Sequence, residues 1–325
     1  MTERAARLFR TGGPEAIEWV DVDLPPPGRG QVRMRHTAIG LNYIDVYHRS
    51  GVYPVELPAG LGSEAAGVVE AVGAGVEGIA AGDRVATFGP ARGAYATARN
   101  LPADQLIPLP EDIDDRDAAA LMLKGCTAEC LIERCAKVEA GQAVLVWAAA
   151  GGVGHLMAGW LKAIGATVIA VVGSQAKAAT AREAGADHVI VHAEEDVAAR
   201  VAEITAGRGV PVVFDGIGMA TWRVSLASAS RRGLIVSYGN AGGPVQNIGL
   251  GTLAAHGSLF ATRPTLFDYY ANPDERRAGT ERLFAMLRAG AVVPRIGRSF
   301  ALEDAAEAHR VLERGETAGS TVLIP

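Results

Sequence analysis

Residues 143–173 read "AVLVWAAAGGVGHLMAGWLKAIGATVIAVVG", and this stretch restricts the possible folds more tightly than any other in the chain. A short β-branched apolar run breaks into glycine, resumes with helical spacing, turns at Gly165 and ends in a second apolar run. Strand, tight turn, helix and parallel strand within about thirty residues is the unit from which nucleotide-binding sheets are wound. Further on, "DHVIV", "PVVFDGI", "GLIVSYG" and "GSLFAT" are again short and apolar on both faces, the pattern of buried parallel strands. Between them lie "AKAATAREAGA" and "EDVAARVAEITAGR", with helical spacing. Six such strands predict a Rossmann-type, doubly wound α/β sheet. His155, Lys162 and the glycine turns interrupt the long apolar stretch, so no membrane span is expected, since a span needs roughly 20 uninterrupted apolar residues.

Residues up to about 120 have a different character. Short apolar runs such as "QVRMRHTAIGL", "AAGVVEAVG" and "GDRVATFG" alternate with turns rich in Pro and Gly, predicting a small β-barrel or sandwich. The closing "STVLIP" is a last short strand that could return to this first domain. The N-terminus lacks the apolar core of a signal peptide, and Cys126, Cys130 and Cys135 are odd in number. Both point to reduced, buried thiols and a cytoplasmic location. A net charge of −5 without a Lys/Arg run gives no electrostatic case for nucleic acid or an anionic membrane.

In "WAAAGGVGH", Gly151 and Gly154 have the spacing of the last two glycines of a dinucleotide fingerprint, with Ala148 at the place of the first. A Cβ at Gly151 or Gly152 would keep a pyrophosphate from the backbone N–H groups and the helix N-terminus. An NAD site places a carboxylate about twenty residues on, to take the ribose hydroxyls. Here that place is Gly173, followed by Ser174 and Lys177. Room, a hydroxyl and a cation favour a 2′-phosphate and hence NADPH, unless Lys177 is only a solvated helix residue.

The motifs "NYIDVYHRSGVYP", "LGSEAAGVVEAVGAGV", "AGDRV", "GAYAT", "LKGCTAECLI", "AAAGGVG", "DGIG", "VSYGN" and "TRPTL" succeed one another from residue 42 to 266. In this order the chain closely resembles the NADPH:quinone oxidoreductases, the zeta-crystallin-like branch of the medium-chain dehydrogenases/reductases, down to the ending "GSTVLIP". The resemblance implies a chaperonin-10-like (GroES-like) β-barrel, residues 1–121 plus 265–325, with a Rossmann NADP-binding domain, 122–264, inserted and the active site in the cleft between. Zinc enzymes of the wider family carry Cys and His where this chain has Asn42 and Ser63, and neither is a useful zinc ligand. A zinc-free site is therefore expected.

Carried over residue by residue, the resemblance implies that Asn42, Tyr47 and Tyr53 line the nicotinamide and substrate pocket as the catalytic set. Thr127 lies near the nicotinamide amide, or else caps a helix start. Gly151, Gly152 and Val153 meet the pyrophosphate, and Gly173, Ser174 and Lys177 the 2′-phosphate. Tyr238, Asn240 and Arg263 match positions that contact the cofactor. His192 stands where many relatives have a Tyr, flanking the adenosine phosphate. Asp45 and Arg49 read as a local ion pair. The function implied is NADPH-dependent reduction of quinones by hydride transfer. The alternatives are reduction of activated C=C bonds in enones or alkenals, or a crystallin-like or RNA-binding protein without important turnover. The apolar edge strand near 257–263 predicts a homodimer.

Overall fold

In the computed structural model, which describes residues 2–325, the front of the chain forms β1 (Thr2–Leu8), β2 (Glu18–Asp23) and β3 (Gln31–Leu41). Alternation makes β3 a strand with one inward face: Val32, Met34, His36 and Ala38 are buried, while the residues between them are more open. Then come α1 (Tyr43–Ser50), β4 (Ala59–Gly60), β5 (Glu64–Val72), β6 (Arg84–Phe88), β7 (Ala98–Pro102), β8 (Leu106–Pro108) and α2 (Asp115–Glu129).

A π-helical turn, Cys130–Cys135, comes after α2 and leads into the alternating region. Its strands are β9 (Ala143–Trp147), β10 (Thr167–Val172), β11 (His188–Val191), β12 (Val210–Asp215), β13 (Ala229–Ser237) and β14 (Phe260–Thr262). The helices are α3 (Gly152–Ala163), α4 (Gln175–Glu183), α5 (Val197–Ile204), α6 (Trp222–Ser228), α7 (Leu250–Ala255), α8 (Leu266–Tyr269) and α9 (Pro273–Arg288). The sheet is parallel throughout, in the order β11-β10-β9-β12-β13-β14. The order reverses between β9 and β12, and in such sheets ligands bind beyond the carboxyl ends of the strands at that reversal. Leu145, Ile169, Val171, Val213 and Ile235 fill the core on one side of the sheet, with Trp222 and Leu226 of α6 closing over them.

The chain then returns as β15 (Ile296–Ala301), α10 (Ala305–Glu313) and β16 (Ser320–Ile324). As "STVLIP" suggested, β16 pairs antiparallel with β3, setting Val322 opposite Gly40. It completes a seven-stranded sheet together with β15, β5, β6, β7 and β8, while β2, β1 and β4 form a smaller one. Leu8, Met34, Ile39, Leu61, Tyr95, Leu101 and Leu323 share the core of this unit.

The two compact units are Met1–Leu123 with Pro294–Pro325, and Lys124–Val293. The second boundary therefore falls after α9, at 293/294, where the sequence placed it at 264/265. The cause is packing that the strand pattern does not reveal. Leu283 of α9 lies so close to Gly125 that a Cβ there would meet its Cδ2 at 2.8 Å. Arg282 Nη2 bonds Glu133 Oε1 at 2.7 Å, and Tyr270 OH bonds Glu129 Oε2 at 2.8 Å. Among the described residues no helix is long and apolar enough to cross a membrane.

Candidate functional site

The glycine turn after β9 is built for close approach. Gly151 N–H donates to Ala148 O at 2.8 Å, and Ala148 itself has φ +53, the left-handed conformation that glycine at this place would adopt without strain. Gly151 is the N-cap of α3, and Gly151, Gly152 and Val153 are only partly buried. The first N–H groups of a helix have no intrahelical acceptor and carry the positive end of its dipole, so this turn fits a phosphate. Gly154 serves a different end. It is buried, and a Cβ there would lie 2.8 Å from Ala149 Cα and closer still to the Ala148 carbonyl oxygen. It lets the helix pack on the turn.

Gly173, at the end of β10, is exposed, and a Cβ there would meet only His192 Nε2, at an ordinary 3.5 Å. His192 comes just after β11 and is exposed, its ring 6.2 Å from that of Trp147. The ends of three adjacent strands thus bring Trp147, Gly173 and His192 together. Ser174 is the N-cap of α4 and accepts the Lys177 N–H at 3.0 Å. Lys177 is half-buried, which lowers the pKa of its ammonium. One acid the sequence did not single out is near: Glu194 Oε2 accepts from Gln175 Nε2 at 2.7 Å, beside Ser174.

Beyond β12, buried Asp215 organises the loop "DGIG". Its carboxylate accepts from the N–H groups of Ile217 (2.9 Å) and Gly218 (3.0 Å), Thr221 Oγ1 (2.8 Å) and Ser225 Oγ (2.6 Å). Ser225 in turn accepts from Trp147 Nε1 at 2.9 Å. An acid closing an apolar strand was the signal that could have identified Asp215. Tyr238 N–H donates to Asp215 O at 2.8 Å, and its ring covers Gly216. Arg263 Nη1 donates to Ser237 O (2.9 Å) and Gly239 O (2.8 Å), and the Asn240 amide bridges Arg263 Nη2 and Gly239 O. Arg263 and Asn240 therefore shape the loop after β13. Thr127 stands two residues before the end of α2, half-buried, so it is no helix-start cap.

The other unit carries Asn42, Tyr47 and Tyr53. Asn42 is the N-cap of α1; its N–H donates to Asp45 Oδ2 at 2.9 Å, and its Nδ2 donates to Glu64 Oε2 at 2.8 Å. Buried Glu64 also accepts the Leu123 N–H at 2.6 Å. Ser63 Oγ donates to Asp45 Oδ1 at 2.9 Å. Asn42 and Ser63 are thus engaged with carboxylates, and this amide and hydroxyl do not fit a zinc ion. Among the described residues no group of three or more His, Cys, Asp or Glu is placed to hold a metal. Tyr47 and Tyr53 meet edge-on at 5.1 Å between centroids, with Tyr43 6.0 Å from Tyr47 and His48 6.0 Å from Tyr53. The Tyr53 N–H to Tyr47 O bond, 3.0 Å, ties the adjoining loop to the helix.

The expected Asp45–Arg49 ion pair is replaced by another: buried Arg49 bonds Glu313 Oε1 through Nη2 at 2.6 Å. Asp45 is instead held by Asn42, Ser63 and the Tyr95 hydroxyl, 3.2 Å away. Tyr95 OH also lies 3.0 Å from His309 Nε2. Burial, then the charge of Arg49, lowers the His309 pKa to about 3. The network supports α1 from beneath. The three cysteines are unpaired: Cys126 and Cys130 are buried and Cys135 is half-buried.

Residues 28–111 match the alcohol dehydrogenase GroES-like domain, and residues 152–270 the zinc-binding dehydrogenase family. The chain is 46% identical to a quinone oxidoreductase of Pseudomonas aeruginosa, over 97% of each chain. It is 44% identical to a 2-haloacrylate reductase of a Burkholderia species, over 99% of this chain and 98% of that one. Its fold is similar to that of Escherichia coli quinone oxidoreductase complexed with NADPH, at a TM-score of 0.97 and 42% identity, covering 99% of this chain and 100% of that one.

Proposed function

The chain belongs to the quinone oxidoreductase family of the medium-chain dehydrogenases/reductases and is an oxidoreductase, and from that premise we propose that it reduces quinones with NADPH. The observation that carries the acceptor class is the edge-on Tyr47–Tyr53 pair on a helix capped by Asn42, in surroundings with no donor set for a metal. Ring surfaces and phenols suit a planar acceptor that needs no Lewis acid.

The residues fit the cofactor. The N–H groups of Gly152 and Val153 would hold the pyrophosphate, and Ser174 and Lys177 the 2′-phosphate, with Trp147 and His192 alongside. Arg263 and Asn240 keep the loop after β13 in position. When bound, the reduced nicotinamide supplies a hydride. A quinone that has accepted hydride is a hydroquinone anion with a phenol-like pKa near ~10, which water protonates. The chain then has to position, and no strong general acid is demanded of it. Positioning alone contributes several kcal/mol when the reacting groups are held at near-attack geometry.

The 2-haloacrylate reductase relative favours a second reading, reduction of an activated C=C bond. There a proton must reach carbon, and Tyr47 or Tyr53 would supply it through water. We also propose a homodimer joined at β14. This edge strand is three residues long, Phe260 on it is 62% exposed, and Leu250 on α7 is 84% exposed.

The test is NADPH oxidation, monitored at the nicotinamide absorbance band, with 1,4-benzoquinone and separately with 2-hexenal. Turnover with the quinone supports the leading reading, and turnover with the alkenal alone supports the second. Activity with neither overturns both and leaves the non-catalytic, crystallin-like alternative.

A further inference from the structure

We infer that Arg92 selects acceptors bearing an acidic group, its guanidinium binding a carboxylate or sulfonate on a planar acceptor that lies against Tyr47 and Tyr53. The inference rests on the reductase reading above and names the acceptor class within it.

Arg92 sits in the loop "GPARG", and that loop is fixed at three points around it. Gly89 N–H donates to Ser63 O at 3.2 Å, Gly93 N–H donates to Gly62 O at 3.0 Å, and Arg99 Nη1 donates to Ala91 O at 3.1 Å. The same Ser63 is bonded to Asp45 of α1 through its hydroxyl, so the loop is held beside the helix that carries Tyr47 and His48.

At this rim His48 lies 6.0 Å from the Tyr53 ring. Its Nδ1 is buried with no hydrogen-bond partner. Burial, and after it the charge of Arg92, lowers the His48 pKa to about 4. The imidazole is therefore neutral near pH 7 and adds no second charge. It offers a polar atom to a bound group, while Arg92 supplies the cation.

The nearby acids do not neutralise Arg92. Asp45 is held by Ser63 and Tyr95, Glu64 by Asn42 and Leu123, and Glu313 by Arg49. Arg92 is exposed and, among the described residues, makes no side-chain hydrogen bond or ion pair. An unpaired guanidinium beside aromatic rings matches the planar, bidentate geometry of a carboxylate or sulfonate.

Two measurements test this. The first compares kcat/KM for 1,4-naphthoquinone and its 2-sulfonate, taken as a ratio so that intrinsic differences between the quinones cancel between variants. Arg92→Ala lowers the sulfonate-to-neutral ratio about three- to fivefold, the range for an exposed charge pair. Arg92→Lys restores most of it, and Arg92→Glu lowers it further. The second measures binding of redox-inert naphthalene-2-sulfonate to the protein by calorimetry, where Arg92→Ala weakens binding by a similar factor. An unchanged ratio in an active Arg92→Ala enzyme, or equal sulfonate binding by all variants, overturns the role of Arg92 alone. A wild-type protein that reduces neither quinone overturns the reductase reading and this inference with it.

Discussion

Replacing Gly154 with Ala, set beside the same change at Gly151, separates what the glycine turn does for the fold from what it does for a ligand. At Gly154 the new methyl would sit 2.8 Å from Ala149 Cα and 2.9 Å from Ala148 C, with the Ala148 carbonyl oxygen closer still. All three are backbone atoms, so no side chain can swing aside. Overpacking of this kind costs about 1–3 kcal/mol. The turn has little slack, because Ala148 already occupies a left-handed conformation that costs roughly 1–2 kcal/mol in a non-glycine residue. At Gly151 the backbone has φ −80 and ψ 173, open to any residue, and a methyl meets one atom, Ala148 O, at 3.2 Å. Thermal unfolding of both variants, with and without NADPH, reads the difference. Gly154→Ala lowers Tm by roughly 4–8 °C, the shift of about 2 kcal/mol in a unit of this size. Gly151→Ala unfolds near the wild-type temperature but loses most of the stabilisation by NADPH, which in the wild type is about 2.7 kcal/mol at a hundredfold excess over Kd. A Gly154→Ala protein with the wild-type Tm would refute the packing reasoning. A Gly151→Ala protein stabilised by NADPH as fully as the wild type would refute the cradle.

Lys177→Ala lowers the NADPH-to-NADH ratio of kcat/KM roughly tenfold, as expected for loss of a charge-assisted bond to phosphate, and equal ratios for variant and wild type rule that role out. Glu194→Gln moves the ratio the other way by removing a carboxylate held beside Ser174 through Gln175; a fall would count against this placement. Tyr53→Ala raises KM for naphthoquinone by removing half of the edge-on pair, whereas Tyr53→Phe keeps most of the affinity; equal effects of the two would implicate the hydroxyl instead. His36 and His309 are buried and neutral, with pKa values lowered to about 3 from an unfolded value near 6.5. Their lowered values make stability complete above pH ~6.5 and reduce it toward pH 3, each by up to about 1.4 kcal/mol per pH unit; His309→Gln makes that acid limb shallower in denaturant titrations. Phe260→Asp converts the dimer to a monomer in sedimentation, and an unchanged mass would place the interface elsewhere.

The nucleotide sheet was legible because a buried parallel strand has only one pattern to show. Each of the six runs is apolar on both faces, and each became a strand between β9 and β14. The boundary after α9 was not legible, because it depends on contacts between residues far apart in sequence. Gly125 with Leu283 and Glu133 with Arg282 decide where that helix belongs, and neither pair leaves a periodic trace. The return of "STVLIP" to β3 was readable as a strand, but its register, Val322 opposite Gly40, is a property of the assembled sheet.

The same distinction runs through the site. Residues whose work is done by backbone shape, such as Gly151, Gly154 and Gly173, announce themselves, because only glycine tolerates the approach. Residues whose work is done through partners do not. Arg49 looked like the mate of Asp45 at helical spacing, yet the buried Asp45 carboxylate had stronger local claims on it: the Asn42 N–H, the Ser63 hydroxyl and the Tyr95 hydroxyl. Arg49 reaches instead to Glu313 on α10, a residue 264 positions away that folding brings beneath α1. Asn42 and Ser63 are a second case of the same kind. Read as letters they are vacancies in a metal site; in the fold each is bonded to a buried carboxylate, Glu64 or Asp45. Those carboxylates fix the start of α1 and thereby the placement of Tyr47. A substitution at Asp45 or Glu64 should therefore disturb acceptor binding through the helix, although neither acid is positioned to touch the acceptor rings by the contacts that hold it.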